Sequence, residues 1–324
     1  MHLRLVALTL LALAGALACE EPASRCQAND ECAADERCDS GACVAAEGEG
    51  EGEGEGEGEG EGEGEGEGEG EGEGEPATCR DDGNTSLSAR ELPLVLEAPL
   101  RMVEAQSDDE DLVVDVVGQD VAGARVWDFT GTYAADVSLA IQAEPLDGRH
   151  WFDDDVEVAG QGGVVYAALL DETTWGVFRR TDEALTIHAV ASEQEDFTLI
   201  AYDPPITALV YPLTDGASFS STSTGSGTFE GIAFYCSTDT YESTVSGRGT
   251  VKTAAGDFPA LRVLTRQRVV VDNCLGFPLA TVEHRQAVFV SACLGAVVSV
   301  TSEEDAPNFA FTRAARVRRV GLPD

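Results

Sequence analysis

The sequence predicts an all-β fold, an antiparallel sandwich or two packed sheets or half-barrels, preceded by a disulfide-rich mini-module and a disordered linker. Three observations carry that expectation. Beyond Cys79 apolar and polar residues alternate in short runs punctuated by Gly, Pro, Asp and Asn, which is strand periodicity, and no long window keeps a helical stripe. Between Glu47 and Glu75 the chain is an unbroken Glu-Gly alternation. Ahead of it, four cysteines crowd into a stretch too short to bury a core.

Taken in order, residues 1–18 read as a signal peptide. Met1 to Arg4 carry one firm positive charge, and Leu5 to Leu17 form an uncharged apolar run too short to span a bilayer as a helix. Ala16-Leu17-Ala18-Cys19 resembles the lipobox of bacterial lipoproteins, although Ala16 stands where that motif favours Leu, and ordinary signal peptidase accepts Ala-x-Ala at the same bond. Cysteine arithmetic favours the lipid. Of nine cysteines, setting Cys19 aside leaves eight: Cys26, Cys32, Cys38 and Cys43 before the linker, and Cys79, Cys236, Cys274 and Cys293 after it. In an oxidising compartment an even number on each side can pair completely. The resemblance implies an acylated Cys19 anchoring the chain to a membrane, with Glu20, lacking the Asp that commonly retains lipoproteins in the inner membrane, pointing to the outer one.

Residues 19–46 form the cysteine-rich module, spaced C-x5-C-x5-C-x4-C among turn formers such as Asn29, Asp30 and Gly41. Two disulfides are expected to do the folding; zinc is disfavoured because no C-x2-C knuckle is present. Glu31-Cys32 and Cys38-Asp39-Ser40-Gly41-Ala42-Cys43 are similar to the small cysteine-rich repeats of myxobacterial surface proteins, a similarity that names no ligand.

Residues 47–76 are the linker. With nothing apolar to bury and a charge at every second residue it is predicted to stay unfolded, averaging about 30 Å end to end if neutral and stretching toward about 100 Å under its own repulsion. It supplies part of the net charge of −40; the remainder of the chain is still acidic, which argues against nucleic acid and anionic headgroups as partners. Lys252 is the single lysine.

The folded part is divided here into a first β lobe, 79–203, and a second, 204–324, with a seam at Asp203-Pro204-Pro205. Ala260 to Val271 shows the alternation best, with Leu261, Val263, Thr265, Val269 and Val271 on one face and Arg262, Arg266 and Arg268 on the other. Further strands are read at 112–117, 137–141, 164–170, 184–191, 197–201, 228–234, 282–292, 296–301 and 309–320. Trp127 and Phe129, two apart, are expected in one core face. Ser218 to Thr228 reads as an exposed Ser/Thr-rich hairpin, open to glycosylation.

Trp127-Asp128-Phe129, Tyr202-Asp203-Pro204-Pro205, Tyr211-Pro212-Leu213-Thr214-Asp215-Gly216 and the run from Val245-Ser246-Gly247-Arg248-Gly249-Thr250-Val251 to Gly256-Asp257-Phe258-Pro259 resemble β-rich secreted proteins and lipoproteins of myxobacteria and Bacteroidetes. The resemblance implies architecture and no activity. In physical terms the last stretch reads as a strand, a tight hairpin and a returning strand.

Chemistry-bearing patterns are sparse. Gly247-Arg248-Gly249 lacks the following helix of a phosphate loop and reads as a hairpin or bulge. His188 and His284 fall inside strands, outside any metal spacing. There is no Gly-x-Ser-x-Gly elbow, and Cys274 and Cys293 suit disulfides better than thiolates. Asp108-Asp109-Glu110-Asp111 and Asp153-Asp154-Asp155 lack the calcium-loop form and read as solvated charge. Arg313, Arg316, Arg318 and Arg319 are expected to pair with carboxylates on neighbouring strands. The expectation is therefore a monomeric cell-envelope lipoprotein displaying a non-catalytic binding domain for an extracellular or periplasmic ligand, with no cofactor, metal or nucleic acid. A carboxylate-dependent glycan or ester hydrolase, or a carrier of apolar cargo, is the alternative.

Overall fold

The computed structural model describes residues 36–39, 42–45, 79, 82–92, 100–107, 111–146, 158, 162–170, 173–192 and 198–321. Cys19, Cys26, Cys32, the signal peptide, the linker 47–76, and the acidic clusters at 108–110 and 153–155 lie outside them. The chain divides into two units, Met1–Glu75 and Pro76–Asp324. In the first, β1 (Glu36–Asp39) and β2 (Ala42–Ala45) form an antiparallel hairpin that sets Cys38 opposite Cys43.

The strands of the second unit are β3 (Ser86–Leu87), β4 (Leu100–Gln106), β5 (Leu112–Val113), β6 (Gln119–Val121), β7 (Ala124–Phe129), β8 (Val137–Ile141), β9 (Ala143–Glu144), β10 (Val164–Leu169), β11 (Thr174–Arg180), β12 (Ala184–Ser192), β13 (Leu199–Val210), β14 (Leu213–Thr214), β15 (Ser218–Phe229), β16 (Ile232–Thr253), β17 (Gly256–Asp272), β18 (Pro278–Ser291), β19 (Gly295–Ser302) and β20 (Arg313–Val320). Sixteen of them form one sheet, whose path runs β8-β4-β20-β19-β18-β17-β16-β15-β13-β12-β11-β10-β9 with antiparallel neighbours throughout. The two ends of that path, β8 and β9, are separated in sequence by Gln142 alone. A sheet whose opposite edges are halves of one extended segment has to curl until they meet, so it is a nearly closed barrel, which removes most of its exposed edge. The all-β antiparallel expectation holds, and a single curled sheet is the form it takes.

Three readings need correction. Thr228 to Phe234 is not one strand: β15 ends at Phe229, and Glu230 and Gly231, with φ of 47° and 76°, make the two-residue turn into β16. Ser218 to Thr228 is not a hairpin but most of one long strand. Asp203-Pro204-Pro205, assigned to a seam, lies inside β13; Ala201 pairs with Ala189 and Ile206 with Ile187, so the prolines fall in a bulge opposite His188, where no N–H is needed. Two strands are also shorter than read: 112–117 is strand only over Leu112–Val113, and 309–320 only over Arg313–Val320. The Gly247-Arg248-Gly249 stretch contains a bulge, since the β16–β17 register slips between Val245 and Arg248.

Three apolar clusters organise the unit. On the outside of β17 to β20 and β4, excursions of the chain cover Ala287, Phe289, Val298, Val300 and Val317 with Val114, Val116, Trp127, Phe129 and Phe311. Trp127 and Phe129 share that face and both meet Phe289 edge-on, with ring centroids at 5.0 and 5.3 Å. β7 reaches this position by pairing in parallel with the end of β16, where Gly249 lets the backbones close: a Cβ there would stand 2.3 Å from Arg125 O. A second cluster, with Leu146 and Val158 over Ala167, Trp175, Val177 and Ala189, covers β10 to β12.

The third cluster is internal. Leu87, Ala89, Leu92, Tyr211 and Leu213 plug the base of the barrel against Val245, Leu261, Val263 and Val290, with Leu185, Leu209 and Phe219 around them. Contributions from β12 through β18 to one cluster identify the concave face. The plug is tied down on all sides. Cys79 is bonded to Cys293, Cys293 N and Arg180 Nη1 donate to Glu91 O and Leu92 O, and Glu91 Oε2 accepts from Ser88 N and Oγ.

The outward positions of β15 and β16 (Ser220, Thr222, Thr224, Ser226, Thr238, Glu242, Thr244) are exposed and hydrophilic, the opposite of the apolar belt of a membrane-spanning barrel.

Candidate functional site

Above the plug the inner face turns polar. Directly opposed residues of an antiparallel sheet share a face, so the register defines rows across the lumen: Ser223, Asp239, Val269, Val282; then Ser221, Tyr241, Gln267, His284; then Phe219, Ser243, Thr265, Gln286, Thr301, Arg316, Gln106. Tyr202 of β13 stands opposite Gly225, which stands opposite Ser237. Gly225 is glycine because the Tyr202 ring and the Ser237 hydroxyl occupy the space a Cβ would need.

Most of these groups are satisfied. Gln267 Nε2 donates to Tyr241 Oη at 2.8 Å, the hydroxyls of Ser243 and Thr265 are paired at 2.9 Å, and Ser221 Oγ accepts from Thr207 N at 3.1 Å. Asp239 is the exception. The residue is 3% exposed and its Oδ1 has no hydrogen-bond partner, the Ser237 hydroxyl on the same face being the one group that favours its charged form. Burial pushes the Asp239 carboxyl up to about 6, with the Ser237 hydroxyl opposing the shift. Burial likewise raises the phenols of Tyr202, Tyr235 and Tyr241, and the Asp239 carboxylate adds to each. Leaving a buried carboxylate oxygen unpaired costs about 1–3 kcal/mol, so a cluster of three neutral phenols around it is a site held at the expense of stability. Chemically it is an acceptor waiting for donors: it can receive the hydroxyls or ammonium group of a ligand.

The remaining described residues singled out in the sequence have structural partners. Cys236 is bonded to Cys274, and although their sulfurs lie with an Asp272 oxygen within 4.8 Å, sulfurs bonded to each other offer no thiolate to a metal. Cys26, Cys32, Cys38 and Cys43 leave no described side chain. His188 is buried with Nε2 3.0 Å from Thr186 Oγ1, its pKa lowered by burial and then by Arg179. His284 Nδ1 lies 3.2 Å from Ser302 O on the adjacent strand, and β13, β15, β16 and β17 separate it from His188 on β12. The arginines of β20 pair as expected: Arg313 with Asp111, Arg316 and Arg318 with Glu104, Arg319 with Asp136. Arg318 also donates to Leu170 O at 2.6 Å, bridging the lumen from β20 to the end of β10.

Asp239, Tyr235 and Tyr241 were not singled out in the sequence, and Tyr202 only as part of a resemblance. A signal was available: Tyr235, Ser237, Asp239, Tyr241 and Ser243 occupy alternate positions, a polar set that marks a strand face only once the strand is known. No protein-family model, curated protein or solved structure matches this chain.

Proposed function

We propose that this is an exported, lipid-anchored cell-envelope protein, held through Cys19 at the outer membrane, whose barrel-like unit binds a polar ligand in its lumen without turning it over. The observation that carries the binding reading is Asp239: buried, with Oδ1 unpartnered, and surrounded by Tyr202, Tyr235 and Tyr241 on a face that mixes Ser, Thr and Gln with Val269 and Val282. A buried carboxyl among phenols disfavours a wholly apolar cargo. What supports export is the pairing of all four cysteines of the second unit as disulfides, leaving no free thiol there.

The hydrolase alternative draws on the raised Asp239 carboxyl, which suits a general acid. A glycosidase needs a second carboxyl within about 5–9.5 Å. Glu104 is five strands away along the sheet and tied to Arg318, and Glu91 caps its own turn. The binding reading is therefore preferred.

The test is a thermal-shift panel of neutral sugars, amino sugars and alkylamines on the full chain, with calorimetry on any hit. Binding that Asp239→Asn abolishes supports the proposal. Binding indifferent to Asp239→Asn removes the lumen site, and turnover of a glycan, ester or peptide above a denatured control replaces it with the hydrolase. Mass spectrometry of the mature N-terminus tests the anchor separately: an unmodified Cys19 refutes it.

A further inference from the structure

Among the described residues, exposed valines are scattered, but the exposed Ile, Leu and Phe side chains all gather in one place: Ile232 and Phe234 after the β15–β16 turn, and Leu275, Phe277 and Leu279 in and beyond the β17–β18 turn. The two tips are one surface. The Cys236–Cys274 disulfide joins them with a Cα separation of 5.2 Å, and Cys274 Sγ lies 3.1 Å from Phe234 O.

The tips are also stiff. Asp272 Oδ1 accepts from Cys274 N at 2.6 Å, and Asn273 Oδ1 accepts from Leu275 N and Phe277 N at 3.1 and 3.2 Å. Phe234 has a φ of 68° and is 88% exposed, while Leu275 and Phe277 are 78% and 67% exposed. A bulky residue in the left-handed region is costly. Here that backbone holds an aromatic ring out in water, where it gains nothing from the protein's own core.

We propose that these disulfide-joined hairpin tips form a wedge that inserts into the surface of a zwitterionic lipid bilayer. The five apolar side chains sit at the ends of two hairpins, in the β17–β18 turn and on the strand residues beside the two turns. The charge of the wedge selects the lipid. Thr228 to Cys236 and Val269 to Ala280 hold Glu230 and Asp272 and no basic residue, and the chain as a whole carries −40. Anionic headgroups would repel it, which leaves burial of apolar side chains at the headgroup boundary as the driving force. The inference does not depend on a lipid at Cys19.

The experiment floats the full chain carrying Cys19→Ser, with the Cys236–Cys274 bond intact, with phosphatidylcholine vesicles, against the same chain carrying Phe234→Ser and Phe277→Ser. Both share the N-terminus, so their difference reads the wedge. The double variant is expected to partition about 100-fold more weakly, roughly tenfold per ring, and raising the salt should not weaken binding of the parent. The replaced rings are exposed, so circular dichroism and melting temperature should match between the two. Equal partitioning of the two chains, or no flotation of the parent, overturns the proposal. So does a concentration-dependent dimer of the parent that the double variant loses, which would assign the patch to a second copy of the chain.

Discussion

Replacing Asp239 with Asn should stabilise this protein, and only where the carboxyl would otherwise be charged. The carboxyl is pushed up to about 6 by burial, against roughly 4 in an unfolded chain. Two units at 1.36 kcal/mol each put the cost of ionising it in the fold at about 3 kcal/mol. The sign follows from proton binding. Between about pH 4 and 6 the native state holds more protons than the unfolded chain, so stability falls as pH rises through that window; above it the full cost persists, and below it the cost is gone. Asn carries no charge, but its amide inherits the poorly paired site at every pH, which takes back about 1 kcal/mol. A net gain of about 2 kcal/mol at pH 8 corresponds to a melting temperature higher by about 4–8 °C for a domain of this size. At pH 4 the variant should melt with the parent or slightly below it.

Non-reducing melts from about pH 3.5 to 8.5, followed by far-UV circular dichroism, check this prediction. A variant that melts below the parent at pH 8, or a gap that does not close toward pH 4, would show that the carboxylate has a partner and refute the reasoning. The same substitution is expected to abolish lumen binding. Stability gained together with binding lost is the signature of a residue retained for its ligand.

Phe289, fully buried beneath Trp127 and Phe129, should cost about 4 kcal/mol when changed to Ala, read as a drop in denaturant midpoint with little change in slope. Replacing Cys79 and Cys293 together by Ser frees the plug from a link spanning 214 residues of sequence, with an expected loss of about 4 kcal/mol in chemical unfolding; an unchanged midpoint would mean that the hydrogen bonds at Glu91 and Leu92 hold the plug alone. Glu283 bonds Arg266 and Arg285, and its carboxyl is held down to about 2 by the Arg266 hydrogen bond first. Its contribution is therefore present above about pH 4 and lost as pH falls toward 2; Glu283→Gln should cost about 1 kcal/mol at pH 7, after discounting for solvent screening, with the gap narrowing in acid melts.

Where one face of a strand is apolar, the sequence alone locates the strand. β17, β18 and β20 were legible because Leu261, Val263, Phe289 and Val317 alternate with arginines and polar residues, and the pairing of the β20 arginines followed from the same alternation. β15 was misread for the complementary reason. Phe219, Ser221, Ser223 and Gly225 point inward while Ser220, Thr222, Thr224 and Ser226 point outward, so two sets of small polar residues alternate with each other and no contrast survives. The barrel's closure was equally hidden. It depends on β8 and β9 pairing with β4 and β10, long-range contacts made through five residues and two, neither of which writes a pattern.

The candidate site was invisible for the physical reason that makes it a site. Hydrophobic periodicity reports faces that bury apolar surface, and a lumen that keeps Ser, Thr, Gln, Tyr and an unpaired Asp buries polar groups instead. A strand under that constraint reads as an exposed hairpin, as Ser218 to Thr228 did. The misreading and the function then share one cause. Had the upper lumen been filled with Val and Leu like the plug beneath it, β15 would have been predicted correctly, and Asp239 would have had no donor-bearing ligand to wait for.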